Sequence, residues 1–395
     1  MKSKIRADII NSLFDLLINS RLSEIVGMSS TNETLSSVCS TIYRYPTCYG
    51  FEYDTRGHPF IKIGDIPQDG LLTYSSKMDM ISDEINDMYP LTKVELGDII
   101  MAVRGDGSTC KRIGIVVDSK LIGSNISPNL LLIRAKQDVS PVYLFQYLNS
   151  PIGQREMEQY ITKTAKKTVT SNNLKKVSLY LPPLCEQKSF QNYVQQINII
   201  KKQVSQILFL LDQLVKSRFI EMFGHQDRNE KGFKVSTIGE SCIIRDSERI
   251  PVTSSEREPG PYPYYGANGL QDYVNDYIFD GDFVLMAEDG GYFDDPERPI
   301  AYAVSGKCWV NNHAHILEPG REMNVHYLEW ALKYRDITNV INGTTRSKLT
   351  QAAMRSIQLL VPPIELQDNF ASFLLQVDKS KFEILKTVEK IANNS

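Results

Sequence analysis

The chain has 395 residues and a mass of 44.9 kDa, more than a single core usually holds, so two or more domains are expected. Hydrophobic residues make up 42% and charged residues 23%, which excludes disordered, collagen-like and disulfide-scaffold classes; no run approaches the 18 apolar residues of a membrane span. The net charge of -3 and a pI near 6.0 give no overall signature of nucleic-acid binding.

The opening MKSKIRADIINSLFDLLINSRL carries Asp8, Asn11 and Asp15 inside its apolar part, so residues 1–27 are predicted to form an amphipathic helix rather than a signal peptide. Six cysteines, Cys39, Cys48, Cys110, Cys185, Cys242 and Cys308, are scattered without a CxxC pair, as expected of reduced thiols in a cytoplasmic protein. Residues 28–184 then show short β-like runs at 60–63, 99–103, 113–117 and 130–133, punctuated by turn residues, and a helical stretch at 140–159. Residues 185–224 read as one long helix. Its apolar positions Phe190, Tyr193, Ile197, Ile200, Val204, Ile207, Leu211 and Leu214 recur every 3.5 residues, the spacing of a coiled-coil packing face. Residues 225–364 repeat the β-like texture at 283–286 and 301–304, with a helical stretch at 323–340. A last helix, 365–395, carries Phe370, Phe373, Val377, Ser380, Ile384, Thr387 and Ile391 at the same spacing.

The chain is written twice. Leu179-Tyr180-Leu181-Pro182-Pro183-Leu184-Cys185-Glu186-Gln187 recurs as Leu359-Leu360-Val361-Pro362-Pro363-Ile364-Glu365-Leu366-Gln367, a shift of 180 residues. Upstream, Tyr143-Leu144 matches Tyr327-Leu328 at a shift of 184. The second helix lacks a counterpart for the stretch from Leu211 to Gly224, but Phe14 to Gly27 supplies one, so the repeat is circular and the two termini are expected to lie together. Between the matched stretches the two copies share little, which suggests one task performed on two different targets.

Searching for catalytic chemistry returns little. Neither GxxxxGK[ST] nor GxGxxG occurs. Gly105-Asp106-Gly107 and Gly290-Gly291 read as turns. The residues before the two Pro-Pro pairs, Leu181 and Val361, are not the Asn or Asp that a nucleotide-flipping amino-methyltransferase needs there. Glu186-Gln187-Lys188 resembles the end of a nuclease site but has no supporting carboxylate nearby. His313 and His315 lack an obvious third metal ligand, so a structural or DNA-contacting role is expected and no metal is assigned. Asp294-Asp295-Pro296-Glu297 reads as a solvated loop.

Local charge is more informative than net charge. From Tyr160 to Lys202 eight lysines face one acid, Glu186, and the basic pair Lys166-Lys167 with Thr168 has its equivalent in Thr345-Arg346-Ser347-Lys348. Lys and Arg with hydroxyl side chains are the usual phosphate-gripping set. Base reading needs amide or guanidinium groups on loops that enter a groove. Candidates are Arg56, Ser75, Ser76, Lys77, Arg104, Lys111 and Arg112 in the first copy, and Tyr264, Tyr265, Asn268, Tyr292, Asn311 and Asn312 in the second.

Two divergent regions, each with a basic patch, a Leu-x-x-Pro-Pro-x-x-x-Gln junction and a long helix, closed by the amino-terminal helix, resemble the DNA specificity subunit of type I restriction-modification systems. The resemblance covers nearly the whole chain. It implies an α+β fold of α/β type. Two target-recognition domains (28–184 and 225–364) would be separated by two long helices (185–224 and 365–395) in an antiparallel coiled coil, with 1–27 completing the pseudo-two-fold repeat. It further implies a non-catalytic subunit on double-stranded DNA that directs two methyltransferase subunits and two restriction subunits. S-adenosylmethionine, ATP and Mg would belong to those partners. The alternatives are a DNA-modifying enzyme with an unrecognised active site and a coiled-coil interaction scaffold.

Overall fold

The computed structural model describes residues 2–28, 32–44, 52–104, 109–162, 167–293, 295, 298–333, 335–341 and 347–393. They divide into two units. Asn11–Lys202 with the chain end from Ile391 forms the amino-terminal unit, and Gln203–Lys390 with the chain start up to Ile10 forms the carboxy-terminal unit.

In the amino-terminal unit, α1 (Lys2–Met28) leads to β1 (Asn32–Thr34), α2 (Leu35–Val38), β2 (Cys39–Arg44), β3 (His58–Ile61), β4 (Leu71–Leu72) and β5 (Met80–Ile81). Then come α3 (Asp83–Asp87), β6 (Ile99–Ala102), β7 (Ile113–Val116), β8 (Asn125–Ile126) and β9 (Leu130–Ala135). Strands β2, β9, β6, β7 and β4 form a five-stranded sheet in that order, and β5, β3 and β8 a three-stranded one. Every residue of β6 and β7 is buried, which is why these runs read as unbroken apolar sequence rather than as alternation. The helical stretch expected at 140–159 is two helices, α4 (Pro141–Asn149) and α5 (Pro151–Glu158). Ser150 ends the first and caps the second by accepting the Gly153 N–H, while Pro151 occupies the first helical position, where its missing N–H costs nothing. Short α6 (Ser171–Leu174) and β10 (Ser178–Tyr180) follow, then α7 (Leu184–Phe223).

The carboxy-terminal unit repeats this plan. It contains β11 (Lys234–Thr237), α8 (Ile238–Ser241), β12 (Cys242–Ile244), β13 (Pro259–Gly266), β14 (Gly269–Val274), β15 (Phe279–Ala287) and β16 (Ala301–Val310). It continues with β17 (Ala314–Pro319), α9 (Val325–Lys333), α10 (Gln351–Arg355), β18 (Gln358–Val361) and α11 (Ile364–Asn393). The antiparallel pair β1 and β10 has its counterpart in β11 and β18, and β2 with β9 in β12 with β17. The sheet here has six strands, β12-β17-β15-β16-β13-β14.

Each Pro-Pro junction ends on a buried glutamine that works as a clasp. The Gln187 side-chain carbonyl accepts the Ser140 N–H at 2.8 Å, and its amide donates to Pro182 O at 2.8 Å. Gln367 accepts the Asn324 N–H at 2.8 Å and donates to Pro362 O at 2.8 Å and Glu322 O at 2.9 Å. Tyr143 and Tyr327 complete the equivalence by donating to Tyr180 O and Leu360 O, the residues just before each junction, at 2.7 and 2.9 Å. Both glutamines satisfy backbone groups that a proline turn leaves unpaired in a dry site. Gln187 is therefore fully committed to the backbone, which removes it from any nuclease reading.

Within the carboxy-terminal unit α7 and α11 run antiparallel. Lys381 pairs with Asp212 at 2.7 Å, and the Phe370 ring lies 5.7 Å from Phe223, so rising numbers in one helix meet falling numbers in the other. Arg6 of α1 takes the second oxygen of the same Asp212 at 3.1 Å, so one carboxylate joins the chain start to the last helix. Lys201 faces Asp15 at 4.0 Å in the amino-terminal unit, the same pair one repeat earlier. The seam keeps the 3.5-residue spacing but differs in the register of every second position. Ile200, Ile207 and Leu214 are exposed, whereas Val194, Leu208, Val215 and Phe219 are buried; in α11, Ile391 is exposed and Val388 and Ala392 are buried. Phe190, Ile197 and Val204 of the expected stripe are buried as anticipated, and each alternate position falls one residue later, at Val194, Leu208 and Val215, so the seven-residue repeat is kept with its spacing running four-three instead of three-four.

Candidate nucleic-acid interface

In the amino-terminal unit the β6–β7 connection brings basic residues from distant sequence together. Arg104 forms an isolated antiparallel bridge with Thr168, Val169 N–H donates to Val103 O at 3.1 Å, and the Thr109 hydroxyl donates to Lys167 O at 3.0 Å. Thr168 is held from the other side by the Thr162 hydroxyl, which accepts its N–H at 3.0 Å. Arg104 and Lys167 are exposed beside one another's backbone, with exposed Lys111 and half-buried Arg112 on the same connection. Lys166 lies outside the described residues. Lys77 is exposed on a separate turn, where Ser75 accepts its N–H at 3.2 Å, and Arg56 sits in the turn closed by Asp54.

The equivalent bridge in the carboxy-terminal unit joins Asp289 and Lys348, and Leu349 N–H donates to Glu288 O at 2.8 Å. Thr345 and Arg346 lie outside the described residues. Lys348 Nζ is 3.1 Å from Glu288 Oε1, while Glu288 Oε2 accepts from Arg249 Nη1 at 2.6 Å. Burial works to raise the Glu288 carboxyl, but Arg249 and Lys348 outweigh it and hold it below its ordinary value. Deeper in the unit, Asp246 accepts from Ile316 N–H at 2.9 Å and Gln351 Nε2 at 3.0 Å and meets His315 Nδ1 at 2.6 Å. Burial again opposes ionisation, and His315 with these donors keeps the Asp246 carboxyl below its ordinary value.

Asp246, Glu288 and His315 place ligand atoms within 4.8 Å of one another, so folding supplies the neighbours for His315 that the linear sequence did not reveal. The geometry nevertheless disfavours a cation. His315 Nε2 faces the Leu349 carbonyl at 2.8 Å and must carry a hydrogen, and Nδ1 is engaged by Asp246. Neither nitrogen directs a lone pair at open space, and the carboxylates are taken by Arg249 and Lys348. His313 is likewise held, with Nδ1 at 2.6 Å from Asp289 Oδ1. Of the acidic loop 294–297 only Asp295 is described, paired with Arg298 Nε at 3.2 Å.

The amide and tyrosine candidates divide. Tyr264 is buried, donates to Val252 O at 3.2 Å and carries Arg257 over its ring at 4.1 Å, so it is a packing residue. Asn311 is also buried, with its amide donating to Gln271 and its carbonyl accepting the His313 N–H at 2.9 Å; it shapes the turn and is closed to a base. Asn268 donates to Gly290 O at 3.0 Å, and half-buried Tyr265 packs on Tyr302 with ring centroids 6.0 Å apart. Tyr292 lies under Arg298 at 4.2 Å. Asn312 is exposed. Sequence reasoning missed Glu288, Asp246 and Arg249, whose side-chain hydrogen bonds, apart from Arg249 Nε to Asp246 O three residues away, reach 39 or more residues and leave no local pattern.

One family model matches residues 230–393, from just before β11 to the end of α11, which is one copy of the repeat. The matching family is the type I restriction modification DNA specificity domain. The clasp of Gln367, the Asp289–Lys348 bridge and the Asp246 network all lie inside the matched residues. The chain is 38% identical over 137 residues to a putative type I restriction enzyme specificity subunit of Haemophilus influenzae, a match covering 35% of each chain. It is 24% identical over 298 residues to the putative MjaX specificity subunit of Methanocaldococcus jannaschii, covering 67% of this chain and 69% of that one. In fold it resembles a chain solved in a study of complex assembly and conformational transition of the type I R-M system, with a TM-score of 0.57 and 17% identity over 93% of this chain and 94% of that one. The S subunit of a type I restriction-modification system from M. genitalium gives a TM-score of 0.50 at 14% identity, over 92% and 94% of the two chains. The fold shared with these two chains covers the amino-terminal copy as well as the carboxy-terminal one.

Proposed function

We propose that the chain is the DNA sequence-specificity subunit of a type I restriction-modification complex and performs no catalysis itself. Each unit reads one half of a bipartite double-stranded site. The observation that carries this reading is the specificity-domain match over 230–393 together with the same scaffold, Gln clasp and bridge rebuilt in the amino-terminal unit with different loop residues. One scaffold with two loop sets suits two half-sites of unrelated sequence.

Phosphate contacts come from the bridges, Arg104, Lys167 and Thr168 in one unit and Lys348 in the other, with Lys166, Thr345 and Arg346 beside them in sequence. Lys111, Arg112, Lys77, Tyr265, Asn268 and Asn312 remain candidates for groove contact. The helices set the unread spacer and dock two methyltransferase subunits. Exposed Ile207, Leu210 and Leu214 on α7 and Phe382 on α11 support that docking, because apolar side chains of this size left in water are what a partner helix covers. Two restriction subunits complete the assembly, and S-adenosylmethionine, ATP and Mg are carried by those partners.

Single-molecule methylation mapping of a host that expresses the chain with its partner subunits tests the proposal. A bipartite methylated motif that disappears on deletion of this gene is expected. A methylome that is unchanged by the deletion refutes it.

A further inference from the structure

The two bridges occupy the same place in the repeat but differ in charge. Val169 N–H donates to Val103 O, and Leu349 N–H to Glu288 O, so Glu288 stands where the amino-terminal unit has Val103. By the same register Asp289 stands for Arg104, and Lys348 for Thr168. One bridge is basic. In the other, the lysine is answered by an acid just past the end of β15.

The two partners of that ion pair differ in freedom. Glu288 is 14% exposed at its side chain and its second oxygen is fixed on Arg249, which itself donates to Ala314 O at 2.9 Å and Asp246 O at 2.9 Å. Lys348 is 50% exposed on a flexible four-carbon stem. The acid is anchored and the cation is the member that can leave.

We propose that Glu288 is a specificity-determining counter-ion for Lys348, occupying in the unbound protein the position that a DNA phosphate takes in the complex. This rests on the DNA-reading assignment made above and adds to it a reason why the second unit holds arbitrary duplex weakly. A phosphate that approaches Lys348 meets a charge already neutralised. It gains little unless other contacts, made only on the correct sequence, hold the DNA long enough for Lys348 to exchange one anion for the other. Non-specific binding is almost wholly phosphate contact, so a masked lysine lowers it directly.

The test measures affinity of the full-length chain for a random-sequence duplex across a salt titration. Glu288→Gln removes the competing charge and keeps an oxygen for Arg249. It should tighten binding about fivefold at low salt and steepen the slope of log K against log salt by about 0.9, one additional effective phosphate contact. Glu288→Asp keeps the charge for Arg249 while withdrawing it from Lys348, and should move both readouts the same way by less. In a Lys348→Ala background both gains should vanish, an outcome that general loosening of the fold would not produce. Unchanged binding in both Glu288 variants, or a gain that survives Lys348→Ala, overturns the proposal while leaving the DNA-reading assignment standing. Failure of the wild-type chain, alone and with its partner subunits, to bind any duplex removes the assignment and this inference together.

Discussion

The backbone N–H of Ser140 donates to the side chain of Gln187 at 2.8 Å, across 47 residues of sequence, and Asn324 repeats the contact with Gln367 across 43. Each bond ties the first turn of a helix in the globular part to the first turn of a long helix. The glutamines are 1% and 0% exposed, so no water replaces a lost bond. Gln187→Leu leaves two backbone groups unpaired and Gln367→Leu three, and each should cost about 1–3 kcal/mol. Chemical unfolding should show a lower midpoint in each variant; a midpoint within experimental error of wild type would show that the clasp contributes nothing.

That clasp also marks what was legible in the sequence. The Leu-x-x-Pro-Pro-x-x-x-Gln repeat and the match of Leu211–Gly224 to Phe14–Gly27 correctly anticipated a circular duplication, and Asp15–Lys201 and Asp212–Lys381 are its equivalent ion pairs. Arg21–Glu24 and Arg218–Glu221, both three residues apart, repeat in the same register. Periodicity was less reliable for faces, since Ile207 and Leu214 fit a heptad yet face solvent. The Asp246 network was illegible, because Asp246, Glu288, His315 and Gln351 come from four separate elements and no spacing rule links them. Asn311 misled for a related reason. An amide in a turn looks available for a base until the backbone N–H it accepts is known.

Asp246 gives the carboxy-terminal unit an acid-dependent stability. A carboxyl held below its ordinary value of 3.8 in the folded state adds stability at pH above that value, and the contribution fades as pH falls through the folded value. His315, Ile316 N–H, Gln351 and Arg249 all face it with donors or positive charge. Asp246→Asn should cost about 3–5 kcal/mol near neutrality, because it leaves a buried charged network without its anion. The gap between wild type and variant in urea midpoint should narrow below about pH 4. A gap of constant size from pH 7 to pH 3 would show that Asp246 is not the titrating group.

The basic bridge of the amino-terminal unit makes a prediction about salt rather than sequence. If Arg104 and Lys167 grip phosphate, Arg104→Ala and Lys167→Ala weaken all duplexes alike, and each flattens the slope of log K against log salt by about 0.9. The preferred half-site stays the same, because phosphate contacts position the protein without reading bases. Loss of sequence preference with an unchanged slope would instead place these side chains in a groove.

The length of α7 bears on the unread spacer between half-sites. Forty residues at about 1.5 Å each span about 60 Å, longer than the roughly 34–36 Å of one DNA turn. If helix length is the ruler, adding one heptad to α7 and one to α11 lengthens each helix by about 10 Å and rotates the added turns by only about 20°. The faces that bury Phe190 and Phe370 then keep their orientation while the reach increases. Methylation mapping of such a variant, expressed with its partner subunits, should return the same two half-sites separated by about three more base pairs, taking about 3.4 Å per pair. The same half-sites at the original separation would dissociate spacer length from the helices and assign it to the recognition units themselves.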